Sequence, residues 1–224
     1  METAGPALPW IDPEKVAYWY FRLNGYLSIE NFVVHPSRSG SQRTDADLLG
    51  VRFPFRAERL FDDPNDIMKD DQVALGFDDR TDVIIVEVKT NQPCTLNGPW
   101  TNQDRENIER VLAALGCVPQ AHVRSVAKRI YATGAARIPR LQIRLVAVGR
   151  ESNGELATQF AEVTQLTWGN MLEFIWRRFD EFSRQKTQVD QWDSHGRQLK
   201  ELAEYNTKAE FVTLALKAMG VAPA

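Results

Sequence analysis

Glu87 and Lys89 stand two residues apart at the end of a β-branched run, Asp82-Val-Ile-Ile-Val-Glu-Val-Lys89. On a strand that spacing turns both side chains to one face. Two opposite charges ending a strand built for burial are costly unless they pair or serve a site. Asp47 precedes a second apolar run, Leu48-Leu49-Gly50-Val51, and reaches the same place if the two strands are neighbours. Carboxylates from two strands suit Mg²⁺ or Mn²⁺, hard ions that prefer oxygen ligands. Such an ion acidifies a bound water and neutralises charge at a phosphoryl centre, and an adjacent amine can orient that water.

Other chemistries lack their residues. His35, His122 and His195 are scattered without metal-ligand spacing, and Cys94 and Cys117 are too few for a four-ligand zinc cluster. The two thiols read as free cysteines in a reducing cytosol. The chain contains neither a Gly-x-x-x-x-Gly-Lys-[Ser/Thr] phosphate loop nor a Gly-x-Ser-x-Gly nucleophile turn. The first twelve residues do not read as a signal peptide, and no stretch is apolar enough to span a bilayer. The expectation is a cytoplasmic protein with no membrane attachment.

The elements that must hold these residues follow from the periodicity. Asp12 is a candidate N-cap, with Pro13 at the first helical position and an apolar stripe of Val16, Trp19, Tyr20 and Leu23 ending at Asn24-Gly25. Short strands are expected at 31–35, 45–53, 82–89 and 141–148, and another between Phe160 and Leu166. Helices are expected from a capping pair Thr101/Asp104 to Gly116, and from Gln120 to Tyr131. A stripe of Trp168, Met171, Leu172, Ile175, Phe179 and Phe182, with Asn170 and Glu173 as a second capping pair, opens a helical C-terminal region continued by helices at 191–205 and 209–219. The pattern predicts an α/β fold: a central mixed sheet flanked by helices, with residues 1–167 as the core and 168–224 as a helical extension. Residues 58–79, with eight acids against two bases, read as a solvated acidic insertion.

Net charge is −3, yet no Asp or Glu occurs from Arg110 to Arg150, a window holding eight arginines and lysines. Such segregation points to a basic face for phosphates, with Arg124, Lys128, Arg129, Arg137 and Arg140 as its candidate residues. Gln92, just after Lys89, is a further candidate for touching substrate, although loop polarity accounts for it equally well.

Asp47 followed by Glu87-Val88-Lys89 resembles the signature of the PD-(D/E)xK nucleases, the restriction-endonuclease-like superfamily. The element order from Asp12 to Val148 is similar to that family's αβββαβ core. The resemblance implies a metal-dependent phosphodiesterase acting on nucleic acid, with DNA as the more common substrate among relatives and restriction, repair or phage defence as their settings. It implies Asp47, Glu87 and the Val88 carbonyl as ligands of Mg²⁺ or Mn²⁺, Lys89 as the catalytic lysine, and Glu14 in the place of a glutamate that some branches carry on the first helix. A catalytically lapsed module that binds nucleic acid or a protein is the alternative. Thr44-Asp45-Ala46-Asp47 lacks the family's proline and leaves Asp45 as a competitor; strand alternation places both acids on one face, and Asp47 abuts the apolar run. The segment between Asp47 and Glu87 is long for the family. The C-terminal helices lie outside the resemblance and are candidates for dimerisation or for docking a protein partner.

Overall fold

A computed structural model describes residues 8–35, 42–58 and 67–222. Helix α1 (Pro13–Leu23) begins where Asp12 accepts the Glu14 amide and Pro13 fixes the first turn; its buried face carries Val16, Trp19, Tyr20 and Leu23. The chain then forms β1 (Leu27–Val34) and β2 (Thr44–Arg52), a short helix α2 (Gln72–Leu75), and β3 (Thr81–Val88). After it come α3 (Gly98–Thr101), α4 (Asn107–Leu115), α5 (Gln120–Thr133), β4 (Ala135–Ile138) and β5 (Leu141–Gly149). The remainder is α6 (Gly154–Gln159), β6 (Thr164–Thr167), α7 (Trp168–Glu181), α8 (Ser194–Tyr205) and α9 (Lys208–Ala218).

The described residues form a mixed sheet of six strands in the order β1-β2-β3-β5-β4, with β6 also on β5. β1, β2 and β3 are antiparallel neighbours; β3 and β5 run parallel from Thr81↔Leu141 to Val88↔Val148. Alternate residues of β3 serve two layers. Ile84 and Val86 pack with α1, α7, α8 and α9, while Val83 and Ile85 pack with α4 and α5. Burial on both faces explains why β3 and β5 read as unbroken apolar runs. Among the described residues no helix is long and apolar enough to cross a membrane.

Several expectations change. The strand expected at 31–35 begins earlier, at Leu27, and there its apolar residues Leu27 and Ile29 face solvent. Thr101 ends a helix instead of opening one: Asn102 caps a 3₁₀ turn at Gln103–Arg105, and a left-handed Glu106 precedes α4. Asn170 and Glu173 do not form a cap, because Thr167 takes that role one turn earlier. A true capping box appears unforeseen at Thr207 and Glu210. Strands and helices too short for periodicity, β4 and α6, were not foreseen, and the strand near 160–166 is the short β6.

The acidic segment is not simply solvated. Residues 59–66 lie outside the described residues, Asp62, Asp63 and Asp66 among them. The flanking parts are anchored: Leu75 and Met68 are buried, and Asp70 pairs with Arg52, Arg56 and Arg178. Arg178, on α7 and 2% exposed, also donates to the carbonyls of Leu23 and Lys69. An arginine fork inside the core holds charge that composition alone assigned to water.

Candidate active site

Asp47 sits at a break in the sheet. Pairing of β2 with β3 ends at Leu48↔Val86, and pairing of β1 with β2 skips Asn31 opposite Asp47. Asn31 adopts a left-handed backbone, φ 51°, a conformation asparagine tolerates better than most residues. Across this point the faces exchange: Leu48 packs in the α1 layer, whereas Ala46, two residues away, packs in the α4–α5 layer. Simple alternation therefore breaks between Ala46 and Leu48, while Asp45 and Asp47 both act on Glu14 of α1. Released from the ladder, the Asp47 carboxylate accepts the Val88 amide at 2.6 Å.

That bond brings the two strand ends together. Glu87 points from β3 toward the α4–α5 side and is 3% exposed. Its Oε1 accepts from Lys89 Nζ at 2.5 Å and from Asn97 Nδ2, and its Oε2 accepts from Trp100 Nε1 at 2.9 Å. Trp100 is fully buried, so the Glu87 carboxylate is held by a rigid donor. The Lys89 amide continues the parallel ladder by donating to the Val148 carbonyl. Asn97 and Trp100 were missed in the sequence, where Gly98-Pro99 read only as loop punctuation.

Negative charge accumulates on the α1 side of this junction. Burial pushes the Asp47 carboxyl up to about 6; the Val88 amide and Lys89 oppose that rise, and the charges of Glu87 and Asp45 add to it. Glu14, in the first turn of α1, is pushed up to about 7 by burial and by Asp47, Asp12, Asp45 and Glu30. Glu14 is thus an electrostatic neighbour of Asp47. Yet no three His, Cys, Asp or Glu side chains gather at metal-binding range among the described residues.

The basic window divides. Arg144 is in the core, 6% exposed, paired with Asp82 at 2.6 Å and hydrogen-bonded to Tyr26; it presents nothing to a phosphate, because burying a guanidinium demands a fixed partner. Arg124, Lys128 and Arg129 lie on the exposed face of α5, Arg124 within 3.7 Å of Glu106. Arg137 pairs with Glu162 at 2.9 Å, and the Arg140 carbonyl accepts the Thr81 amide. Thr81 begins the strand that ends at Val88, so Arg140 and Arg137 lie at the opposite end of the sheet from Lys89, about 25 Å away at strand rise. Gln92 is exposed, and its carbonyl accepts the Arg150 amide.

No family model, curated protein or solved structure matches this chain. What the site can do is therefore argued from its own groups. Asp47 and Glu87 offer carboxylate oxygens from adjoining strand ends, and the Asp47 and Glu14 carboxyls are raised by burial first and by neighbouring acids second. That donor set fits a hard divalent cation. Lys89 supplies the amine within contact of Glu87.

Proposed function

We propose that this protein is a metal-dependent nuclease of the PD-(D/E)xK type, hydrolysing phosphodiester bonds of nucleic acid, with DNA as the substrate. The observation that carries the reading is the junction itself: Asp47 bonds the amide next to Glu87, and Lys89 contacts Glu87. A carboxylate from β2 bonds the backbone between Glu87 and Lys89, where the two strands part. The order α1, β1, β2, β3, α4–α5, β5 supports the reading, since it follows the αβββαβ core.

Asp47 and Glu87, with the Val88 carbonyl, would hold Mg²⁺ or Mn²⁺. Bound there, the ion would neutralise phosphoryl oxygens and acidify a water. Asn97 and Trp100 fix the Glu87 carboxylate by hydrogen bonds and keep its rotamer for binding. Lys89, on leaving Glu87, would place its amine beside the attacking water or a phosphoryl oxygen. Glu14 adds a carboxylate at the rim that can accept a proton near neutral pH.

A second reading is a catalytically lapsed module that binds nucleic acid or a protein. It is favoured by the saturation of Glu87 by three donors and by the lack of a three-ligand cluster among the described residues. Supercoiled plasmid separates the two. The nuclease reading expects relaxation that requires Mg²⁺ or Mn²⁺ and falls by about a hundredfold or more in Lys89→Ala and Asp47→Asn. Wild-type protein that leaves plasmid, linear duplex and single strands intact with either ion supports the module.

A further inference from the structure

The cations expected to meet nucleic acid do not all lie near Lys89, but two others do. Parallel strands β3, β5 and β6 end side by side, and the crevice beyond the carboxyl ends of such strands is where α/β sheets place ligands. β3 ends in the Asp47–Glu87–Lys89 junction. Beyond β5 and β6 lies a cavity of about 710 Å³ lined by Arg150, Trp168, Thr213, Leu216, Lys217 and Val221, among others. Its size falls within the roughly 300–1,000 Å³ of small-ligand sites.

Its walls are bonded to the loop that follows Lys89. The Trp168 indole donates to the Lys89 and Thr90 carbonyls at 3.2 and 3.1 Å. The Asn91 side chain donates to the Gly220 carbonyl and accepts the Ala222 amide. The Arg150 amide donates to the Gln92 carbonyl at 2.8 Å. Gly149 admits this arrangement, because a Cβ there would lie 2.5 Å from the Cys94 nitrogen. The cavity and the candidate catalytic junction therefore flank one short loop.

The lining has a mixed character. Leu216 and Val221 give an apolar wall, with the buried Trp168 ring beneath it. Arg150 and Lys217 are the charged residues of the lining, which contains no acid. Among the described residues the Arg150 side chain pairs only with the exposed Glu151, at 3.4 Å. Lys217 makes no ion pair among the described residues. By contrast, the cavity at Lys186 and Lys200 includes Asp180 and Glu204.

We infer that this cavity is a subsite for the substrate strand, taking a nucleotide that flanks the cleaved bond: its base against Leu216 and Val221, its phosphates toward Arg150 and Lys217. The inference rests on the nuclease reading for its choice of ligand. It also gives the C-terminal helices a role, since α7 and α9 supply most of the lining. A positively charged groove with an apolar wall is the arrangement by which single strands are held without sequence preference.

The test is binding of a fluorescein-labelled twelve-residue oligothymidylate to the full chain in EDTA, followed by anisotropy across a salt series. Lys217→Glu and Thr213→Glu alter exposed positions of α9 and leave the fold intact, which circular dichroism checks. Each should weaken binding about tenfold or more, and Lys217→Ala should reduce the salt slope by about one. Arg184→Glu, at an exposed position past the far end of α7, is the control and should have the smaller effect. Wild-type protein that does not bind the oligonucleotide, or binding that Arg184→Glu weakens while both cavity variants retain it, overturns the subsite. Cleavage is not needed for this readout. Cavity-dependent binding without plasmid nicking would sink the nuclease reading and keep the subsite; nicking with cavity-independent binding would do the reverse.

Discussion

β3 carries a buried acid near each end, and the two are treated differently. At its start, Asp82 meets Arg144 at 2.6 Å, the Tyr26 hydroxyl at 2.5 Å and Gln142 at 3.4 Å. The partner is a guanidinium, which keeps its charge at any ordinary pH. At the other end Glu87 meets a lysine, two neutral donors and a second carboxylate whose proton affinity is raised. The Asp82 end is complete, whereas the Glu87 end holds more negative charge than its fixed partners balance. A closed ion pair stabilises a fold; an unbalanced one has capacity for an exchangeable cation.

Breaking the closed end should have the largest effect. Asp82→Ala leaves Arg144 buried without its carboxylate, and urea unfolding should show a loss of about 3–5 kcal/mol. The open end is also reached through its buried donor. Trp100→Phe keeps an aromatic ring but removes the indole N–H bond to a charged group and part of a buried ring, so a loss of at least about 1.5–3 kcal/mol is expected, with weaker divalent binding in calorimetry. Asp47→Asn should behave oppositely to Asp82→Ala. The amide still accepts the Val88 N–H and removes a crowded charge, so the melting temperature should equal or exceed that of the wild type. Mn²⁺ should raise the melting temperature of the wild type and leave that of Asp47→Asn unchanged. A drop of several degrees in Asp47→Asn would erase the contrast between the two ends.

The smallest effect concerns a third carboxylate, outside β3. Burial raises the Glu58 carboxyl, but Lys186, Arg56 and Arg178 outweigh it and hold the group below its ordinary value. A lowered folded value means that stability is present above the unfolded value, near 4.5, and is lost as pH falls through the folded one. Glu58→Gln should therefore flatten the acid limb of a stability–pH profile below about pH 4.5 and alter the neutral region by less than about 1 kcal/mol.

How much of this was legible in the sequence depended on periodicity. α1 was readable because Asp12, Pro13 and the apolar stripe agree. β3 and β5 were readable because burial on both faces demands β-branched runs. Glu87 and Lys89 stood out as charges where burial excludes them, and Asp47 as the acid before the neighbouring run. Asn97 and Trp100 had no such signal: a tryptophan in a loop announces nothing until the carboxylate beneath it is located. The exchange of faces at Asp47 depends on the left-handed Asn31 in another strand, a pairing that local alternation cannot report. The basic window misled in part because charge counted along a chain ignores depth. Arg144 alternates with Ile143 and Leu145 in a buried strand, and its partner Asp82 lies far away in sequence.

The proposed function assigns a divalent ion to Asp47 and Glu87, beside Lys89. A crystal soaked with Mn²⁺ and measured for anomalous scattering tests it most directly. The expected result is a single strong peak at the junction of Asp47 and Glu87, with Lys89 displaced from Glu87. A peak confined to other acids, or none at this junction while Lys89 stays on Glu87, would contradict it.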